Sequence, residues 1–226
     1  MTTHTFTPTV PSFLLAPPGV YRPQQDTRLL ARALGREDIG PHTRMLELGA
    51  GSGALALEAA RRGARVTAID ISRRAVLATR LNAILARQHV TVRRGDLTEA
   101  VTGRSYDLVI SNPPYVPSPD ARLPRRGAAR AWDAGHDGRL LLDRICDAAP
   151  AVVGPNGALL LVHSGLCGVG ATVERLERGG MSAEIADSTT VPFGPVLRSR
   201  LPWLRRTGLV GEETEEELVV IRAEHT

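Results

Sequence analysis

The residues with the most evident chemistry are Asn112, Pro113, Pro114 and Tyr115, which directly follow the apolar run "YDLVIS". Adjacent prolines continue neither a helix nor a sheet, because they lack backbone N–H groups and hold the preceding residue extended. The side-chain oxygen of Asn112 can accept one N–H and the carbonyl of Pro113 another, while Tyr115 can stack on a planar group. The motif therefore suits the capture of a flat NH2 group, although by itself it is also typical of an ordinary turn after a strand.

A glycine turn is the second feature, with Gly49, Gly51 and Gly53 between the strand "RMLEL" and the helix "ALALEAARRG". Glycines let the backbone turn sharply and approach a ligand closely, and the start of a helix favours an anionic group. The spacing Gly49-x-Gly51-x-x-Ala54 also fits a dinucleotide-binding fingerprint. The turn therefore predicts a nucleotide-like cofactor without deciding which one.

Three carboxylates accompany these motifs. Asp70 ends the second predicted strand and can accept both hydroxyls of a ribose, as in NAD or any adenosine ligand. Asp96 ends the third predicted strand on the same edge, where an acceptor suits the exocyclic amine of adenine. Glu47 lies in an otherwise apolar strand, and a buried carboxylate needs hydrogen-bond donors. We therefore expect Glu47 at the end of its strand, facing the ligand or backbone N–H groups.

Strands and helices alternate along the chain, which predicts an α/β fold with a doubly wound, mostly parallel sheet. Ligands of such sheets bind beyond the carboxyl ends of the strands, where the strand order switches. The first helix should begin at Asp26 or Thr27 and end near Gly35, and Ser72 should cap the third helix. The predicted strands are 44–48, 64–70, 90–96, 106–111, 158–164 and 217–223, and the predicted helices are 23–35, 54–63, 72–87, 138–153 and 171–180.

Composition limits the number of domains, the cellular location and the chemistry that can be expected of this chain. Residues 1–20 are rich in threonine and proline and should be irregular, whereas residues 21–226 should form one domain. No run of about 18 apolar residues and no secretory signal is found, so we expect a cytoplasmic protein. The apolar pattern around Cys146, one of two cysteines, indicates a core position. All 28 basic residues are arginines, which excludes lysine chemistry such as a Schiff base.

Glu47, "GAGSG", Asp70, Asp96 and "NPPY" together resemble the class I S-adenosylmethionine-dependent methyltransferases, and "NPPY" resembles those that methylate planar nitrogen groups. The order of "VYRPQQDTRLLARAL", "NPPY", "AWDAGHDGRLLLDRI" and "EETEEELVVIRA" is similar to that of the HemK-type protein glutamine methyltransferases, in the short form without an N-terminal helical domain. The resemblance extends over residues 21–223. It implies a Rossmann-like sheet whose last strand is antiparallel, with S-adenosyl-L-methionine as cofactor and S-adenosyl-L-homocysteine as product.

The resemblance also implies roles for individual residues. Asp26 and Thr27 would belong to a lid over the methionine end of the cofactor. Asn112 and Pro113 would hold the acceptor amide and direct its nitrogen lone pair at the sulfonium methyl group. The implied catalytic residues are Asn112, Pro113, Pro114 and Tyr115; the implied cofactor-binding residues are Thr27, Glu47, Gly49, Ala50, Gly51, Gly53, Asp70, Ile71, Asp96, Leu97 and Asn112; no metal is implied.

The implied acceptor is a protein glutamine, typically in the Gly-Gly-Gln loop of a peptide-chain release factor. For eukaryotic and archaeal relatives the resemblance also implies a small zinc-binding activator protein. Two arginine groups offer contacts to RNA, to the ribosome or to an acidic protein surface, or are simply solvated charge. They comprise Arg122, Arg125, Arg126 and Arg130 beside Trp132, and Arg198, Arg200, Arg205 and Arg206 around Trp203. The acidic run 212–217 is expected to be a solvated loop.

Other functions stay open at this point. The same motif accepts a flipped adenine or guanine amine, so methylation of DNA or RNA is the first alternative, although a chain of this length leaves little for a DNA-recognition domain. A small-molecule N-methyltransferase is another. From other classes, an NAD-dependent oxidoreductase is disfavoured by Glu47 and by the lack of a substrate domain. A non-catalytic cofactor-binding regulator is disfavoured by the intact motif from Asn112 to Tyr115.

Overall fold

A mixed sheet organises residues 14–125 and 127–226, the part of the chain that the structure, a computed structural model, describes. Its seven strands there are β1 (Arg44–Leu48), β2 (Arg65–Asp70), β3 (Val90–Arg94), β4 (Tyr106–Ser111), β5 (Val153–Ser164), β6 (Met181–Pro192) and β7 (Glu215–His225). They lie in the order β3-β2-β1-β4-β5-β7-β6. The first five strands pair in parallel, and β7 is antiparallel to β5 and β6. The predicted sheet, mostly parallel with an antiparallel last strand, is confirmed.

Helices cover both faces of this sheet. Successive residues of a strand point to opposite faces, so Met45 and Leu46 of β1 belong to two different apolar clusters. Met45 packs in the cluster that contains Leu30 of the first helix, and Leu46 in the cluster that contains Ile145 of the fourth. The helices are α1 (Gln25–Leu34), α2 (Ala54–Arg61), α3 (Arg73–Leu85), α4 (Leu140–Val152), α5 (Val169–Arg178) and α6 (Pro195–Arg206).

Several local predictions agree with these elements. Ser72 caps α3, because its hydroxyl oxygen accepts the backbone N–H of Ala75 at 3.4 Å. Gly35 is the C-cap of α1. Cys146 is fully buried in the cluster beneath α4, as its apolar pattern indicated.

The predicted start of α1 at Asp26 or Thr27 is wrong. The helix begins at Gln25, and Gln24 is its N-cap residue, without a side-chain capping bond. Asp26 and Thr27 lie inside the first turn and are buried. The carboxylate of Asp26 lies past the N-cap, where one oxygen accepts two tyrosine hydroxyls and the other accepts the N–H and hydroxyl of Thr27.

β6 and α6 are missing from the elements predicted from sequence. β6 is an edge strand with many exposed side chains, so it shows no apolar run. α6 contains Pro202 in its interior, a residue that usually interrupts helices. Both elements depend on contacts that are distant in sequence: β6 pairs with β7, and Leu197 and Leu204 of α6 pack with Phe193.

The acidic run 212–217 is only partly a loop. β7 begins at Glu215, and its pairing with β6 starts there. Glu216 is buried, whereas Glu217 is exposed. The expectation of a solvated loop is therefore wrong for Glu215 and Glu216, which belong to β7, whereas Glu217 agrees with the predicted strand 217–223.

Residues 14–20 form neither a helix nor a strand, but they pack against α3. The backbone of Leu15 exchanges two hydrogen bonds with the side chain of Asn82, at 2.8 and 2.9 Å. Ala16 and Val20 are buried against the same helix. Residues 1–13 lie outside the described residues. In the part of the chain that is described, no helix has the length and apolar character needed to cross a membrane.

Candidate active site

A cleft of about 1300 Å³ opens beyond the carboxyl ends of the parallel strands, where the strand order switches between β1 and β4. We call the wall formed by the residues after β1, β2 and β3 the glycine-turn half. The opposite wall, the acceptor half, comprises the residues after β4, Tyr21 with the first turn of α1, and the start of β7. The predicted residues that line the cleft are Gly49, Gly51, Asp70, Ile71, Asp96, Leu97, Asn112, Pro113, Pro114 and Tyr115, whereas Thr27, Glu47, Ala50 and Gly53 are buried behind it.

At the glycine turn, the wall of the cleft has an open space that no side chain of the described residues fills. Gly49 has a φ of +75°, in the left-handed region that favours glycine. The nearest atom to a Cβ built there, chain neighbours aside, is the carbonyl oxygen of Asn112 at 4.0 Å, so a side chain would project into the cleft. The N–H groups of Gly49 and Ala50 both donate to the carbonyl of Ile69, at 2.9 and 3.0 Å. The turn is therefore fixed to β2 and open towards the cleft.

Asp70 ties the glycine turn to the end of β2. Its Oδ2 accepts the N–H of Gly51 at 2.9 Å, and its Oδ1 accepts the N–H of Ser72 at 2.7 Å. Burial raises the pKa of this carboxyl group, and the two N–H groups oppose that rise. Each oxygen keeps a further lone pair, so Asp70 holds the turn and still presents acceptors to the cleft.

Glu47 supports the turn from behind. Its side chain is buried, and Oε2 accepts the N–H of Ala56 in the first turn of α2 at 3.0 Å. Burial raises the pKa of this carboxyl group to about 8, although the bond from Ala56 opposes the shift. The structure thus gives Glu47 a backbone donor, one of the two surroundings expected for it.

Ile71, Asp96 and Leu97 form the far end of the glycine-turn half. Asp96 lies beyond β3, which ends at Arg94, and precedes a short 3-10 turn. Its Oδ2 pairs with Arg144 at 3.0 Å. Ile71 is 45% exposed and lines the cleft beside this carboxylate. Apolar side chains next to a carboxylate suit a flat ring that carries an amine.

A chain of hydrogen bonds joins both ends of the proline motif to the first turn of α1. Oδ2 of Asp26 accepts the hydroxyls of Tyr21 at 2.6 Å and Tyr115 at 3.0 Å. Oδ1 of Asp26 accepts the hydroxyl of Thr27 at 3.2 Å, and Oγ1 of Thr27 accepts Nδ2 of Asn112 at 3.3 Å. Burial, reinforced by Asp26, raises the pKa of Tyr115, so the phenol stays a donor. The network turns the amide nitrogen of Asn112 towards Thr27 and leaves its oxygen for another donor.

The segment after the motif is also anchored. The N–H of Val116 donates to the carbonyl of Trp132 at 2.7 Å, and the N–H of Ala134 donates to the carbonyl of Val116 at 3.1 Å. The thiol of Cys167 donates to the carbonyl of Tyr115 at 3.1 Å. Burial raises the pKa of this thiol, so it remains protonated and able to donate. These bonds hold the exit of the motif on the sheet.

Two side chains of the acceptor half, Tyr21 and Glu216, were not predicted from sequence. Glu216 is buried and lines the cleft, and burial raises the pKa of its carboxyl group to about 6. The period of two along a strand gives a signal for it, because Glu216 lies on the same face as the core residues Leu218 and Val220. Tyr21 shows no such signal, since its partner is identified only by the folded chain.

The arginine groups fall into two kinds. Arg125 and Arg130 line the cleft, whereas Arg126 lies outside the described residues. Arg200 of α6 pairs with Asp133 at 2.7 Å, which ties α6 to the segment after the motif. Part of the second arginine group therefore has a role within the fold.

The cleft fits S-adenosylmethionine, which combines adenine, ribose, a sulfonium and an amino acid. The open space at Gly49 admits a ligand next to the backbone, and Asp70 offers acceptors to a ribose. Ile71 and Asp96 match the face and the amine of adenine. Among the described residues, no group of three or more His, Cys, Asp or Glu side chains is placed to hold a metal ion.

Comparisons with known proteins agree with this fit. Residues 14–123 match the family described as methyltransferase small domain. The chain is 33% identical over 181 residues to a Methanocaldococcus jannaschii protein described as "Putative protein N5-glutamine methyltransferase MJ0928", covering 80% of this chain and 90% of that protein. It is 38% identical over 150 residues to a release factor glutamine methyltransferase of Xylella fastidiosa, covering 62% of this chain and 54% of that one. The chain thus spans about half the length of this bacterial relative.

A solved structure extends the comparison to three dimensions. Mtq2 of E. cuniculi, in a complex with Trm112 described as responsible for methylation of the eRF1 translation termination factor, is 25% identical, with a TM-score of 0.62. The match covers 92% of this chain and 99% of that chain. The fold and the cleft define the protein as a class I methyltransferase with S-adenosylmethionine as its cofactor. Within that class, the chain belongs to the HemK-type protein glutamine methyltransferases, which confirms the resemblance seen in its motifs.

Proposed function

We propose that this protein methylates the side-chain amide nitrogen of a glutamine in a Gly-Gly-Gln segment of a peptide-chain release factor. The observation that carries the proposal is the fixed amide of Asn112. Thr27 holds its nitrogen at 3.3 Å, so its oxygen remains for an N–H of the acceptor. The relatives from M. jannaschii and X. fastidiosa are both described as glutamine methyltransferases, which supports the same acceptor here.

For the glycine-turn half we propose cofactor binding. When bound, S-adenosylmethionine supplies an electrophilic methyl group on its sulfonium sulfur. The backbone at Gly49 approaches the cofactor without an intervening side chain, Gly51 lies beside it against Tyr21, and Asp70 accepts ribose hydroxyls. Asp96 accepts the adenine amine. Ile71 and Leu97 flank the ring, and the buried residues Glu47, Ala50 and Gly53 hold the turn in place, whereas Thr27 acts from the acceptor half through Asn112.

For the acceptor half we propose that the motif prepares a weak nucleophile. An amide nitrogen reacts poorly because its lone pair is delocalised into the carbonyl. Oδ1 of Asn112 and the carbonyl of Pro113 accept its two hydrogens, which fixes the amide plane and raises electron density on nitrogen. Pro114 stiffens the turn, and Tyr115, held by Asp26, covers the planar group and excludes water. Orientation of this kind contributes at most about 7–11 kcal/mol. The methylated product releases its proton to solvent.

Tandem mass spectrometry tests this proposal. A release factor with a Gly-Gly-Gln segment is incubated with the protein and with S-adenosylmethionine that carries a labelled methyl group. We expect one labelled methyl group on the side-chain amide of the glutamine, and none on a control factor in which asparagine replaces that glutamine. Unmodified glutamine together with label in nucleic acid would contradict the proposal and favour a base amine as acceptor.

We also propose that a small second protein chain covers part of α3. Leu77, Leu81, Ile84 and Leu85 are between 41% and 71% exposed and recur at helical spacing. They adjoin β3, the edge strand of the sheet. Exposed apolar side chains beside an open strand edge are typical of interfaces. The complex of Mtq2 with Trm112 supports a small protein as the occupant.

Light scattering of a mixture with a Trm112-like protein of the source organism tests the second chain. We expect a one-to-one complex that Ile84→Glu prevents and that Glu174→Arg, an exposed change on α5, leaves intact. Two separate species in the mixture would contradict the proposal.

We retain residues 21–226 as the proposed methyltransferase domain and the cytoplasm as its proposed location. Translation termination, the process in which the proposed substrate acts, takes place there. Fractionation of cells with detection of the protein tests the location, and recovery outside the cytoplasmic fraction would contradict it.

A further inference from the structure

Glu216 occupies a place in the acceptor half that the proposed reaction does not use. The residue is only 9% exposed, it lines the cleft, and its Oε2 atom has no hydrogen-bond partner among the described residues. The side chain of Ser164 hydrogen-bonds to the carboxylate. A buried acceptor without a donor is costly, so an open carboxylate oxygen on a cleft wall indicates a ligand that supplies one.

Four polar side chains that interact electrostatically with Glu216 are already committed elsewhere. They are Asp26, Tyr21, Tyr115 and Cys167. The two phenol hydroxyls donate to Asp26, and the thiol donates to the carbonyl of Tyr115. None of these groups is therefore free to donate to the open oxygen of Glu216, so its donor comes from the cleft.

The sheet places Glu216 on the path of the acceptor. β7 runs antiparallel to β5, so its start lies at the same edge as the carboxyl ends of β4 and β5. Since β5 lies between β4 and β7, Glu216 is on the side of Asn112 opposite to the glycine turn. The glycine-turn side is assigned to the cofactor, so a segment that presents its side chain to Asn112 passes Glu216.

We propose that Glu216 accepts a backbone N–H of the acceptor segment next to the methylated glutamine and so positions that segment. The inference rests on the proposed function. The two hydrogens of the acceptor carboxamide are taken by Asn112 and Pro113, so a further N–H has to come from the backbone. Glycines before the glutamine leave the neighbouring N–H groups accessible, because they carry no Cβ.

A binding experiment with matched variants tests this contact. The affinity of a Gly-Gly-Gln peptide is measured by calorimetry in the presence of S-adenosylhomocysteine, which cannot react. We expect Glu216→Ala to weaken peptide binding roughly ten- to hundred-fold, the range for a hydrogen bond to a charged group. Glu216→Gln should weaken it less, since its amide oxygen still accepts. Glu217→Gln, an exposed change on the same strand, should bind as the wild type does.

Modified peptides then identify the donor. In each peptide, one backbone nitrogen near the glutamine carries a methyl group instead of its hydrogen. At one position, methylation of the peptide nitrogen should weaken binding to the wild type but should not weaken binding to Glu216→Ala any further. The reason is that the peptide change and the protein change remove the same hydrogen bond. The affinity for S-adenosylhomocysteine should be equal in all variants, which shows that they are folded.

The outcomes separate the two proposals. If the wild type methylates the peptide but Glu216→Ala binds it equally well, or no position shows the shared loss, the role of Glu216 is overturned and the proposed function stands. If the wild type neither binds nor methylates the peptide, the proposed function fails and the contact assigned to Glu216 falls with it.

Discussion

In the glycine-turn half of the cleft, the backbone N–H of Gly51 donates to Asp70, which is 19 residues away in the sequence. In the acceptor half, the hydroxyl of Tyr115 donates to Asp26, which is 89 residues away. The first half is built mainly from backbone groups of a turn and of the strand beside it. The second half is built from side chains that become neighbours only when α1 lies against the end of β4.

This difference separates the two tasks of the enzyme. A cofactor site carried by the sheet keeps its shape when side chains across the cleft change. An acceptor site held by a network of side chains depends on each member, because removing one leaves others without partners. Changes in the acceptor half should therefore lower turnover at nearly constant cofactor affinity. Changes in the glycine-turn half should weaken cofactor binding and leave turnover at saturating cofactor nearly constant.

The largest effect is expected for Asn112→Ala. Loss of the side-chain oxygen removes the proposed acceptor for the substrate amide, so turnover should fall roughly a thousand-fold, as for other donors and acceptors aimed at a reacting group. Cofactor affinity, measured by calorimetry, should stay nearly unchanged. Asn156→Ala, at an exposed position, serves as the control. Wild-type turnover in the Asn112 variant would remove the role given to the motif.

Asp70→Ala tests the glycine-turn half. The change removes the proposed acceptor for the ribose and releases the N–H groups of Gly51 and Ser72. Cofactor binding should weaken by roughly ten- to hundred-fold in calorimetry, because bonds to a charged acceptor are lost. Asp38→Ala, an exposed change, should have no effect. Unaltered cofactor affinity in the Asp70 variant would contradict the division between the two halves.

Asp26→Asn tests the network directly. An amide in place of the carboxylate cannot accept from both tyrosines and from Thr27, so Tyr115 and Asn112 lose their fixed positions. We expect turnover to fall roughly ten-fold, and Tyr21→Phe, which removes one bond, to have a smaller effect. Steady-state kinetics with peptide and cofactor varied in turn measure both. A loss of cofactor affinity without a loss of turnover would show that Asp26 serves cofactor binding, which would contradict its assignment to the acceptor half.

The last prediction concerns the stability of the turn, and neither turnover nor affinity. The pKa of Glu47 is raised to about 8 by burial, above its ordinary value of 4.5. A raised carboxyl pKa gives stability that is complete below pH 4.5 and is lost as pH rises through 8, because ionisation is opposed in the folded state. Glu47→Gln removes this dependence. Between pH 6 and pH 8, its free energy of unfolding relative to the wild type should rise by about 2 kcal/mol.

Urea unfolding of the protein without cofactor measures this difference at both pH values. Glu174→Gln, an exposed change on α5, is the control and should show the same pH dependence as the wild type. A constant difference between Glu47→Gln and the wild type would mean that Glu47 is ionised throughout this range.

The same contrast explains which parts of the site could be predicted from the sequence. Gly49 and Asp70 could be predicted because each directly follows or ends an apolar strand, and the rule for parallel sheets brings those ends together. The bond between Asp26 and Tyr115 could not, because it depends on how α1 packs against the end of β4. β6 was missed for a related reason: an edge strand with exposed side chains has no apolar run, and its pairing with β7 defines it.

A crystal structure with S-adenosylhomocysteine and a Gly-Gly-Gln peptide tests the central claim most directly. We expect the homocysteine product against the glycine turn, and the glutamine carboxamide between Oδ1 of Asn112 and the carbonyl of Pro113, with its nitrogen facing the sulfur. A glutamine bound elsewhere, or an Asn112 side chain turned away from the peptide, would contradict the account.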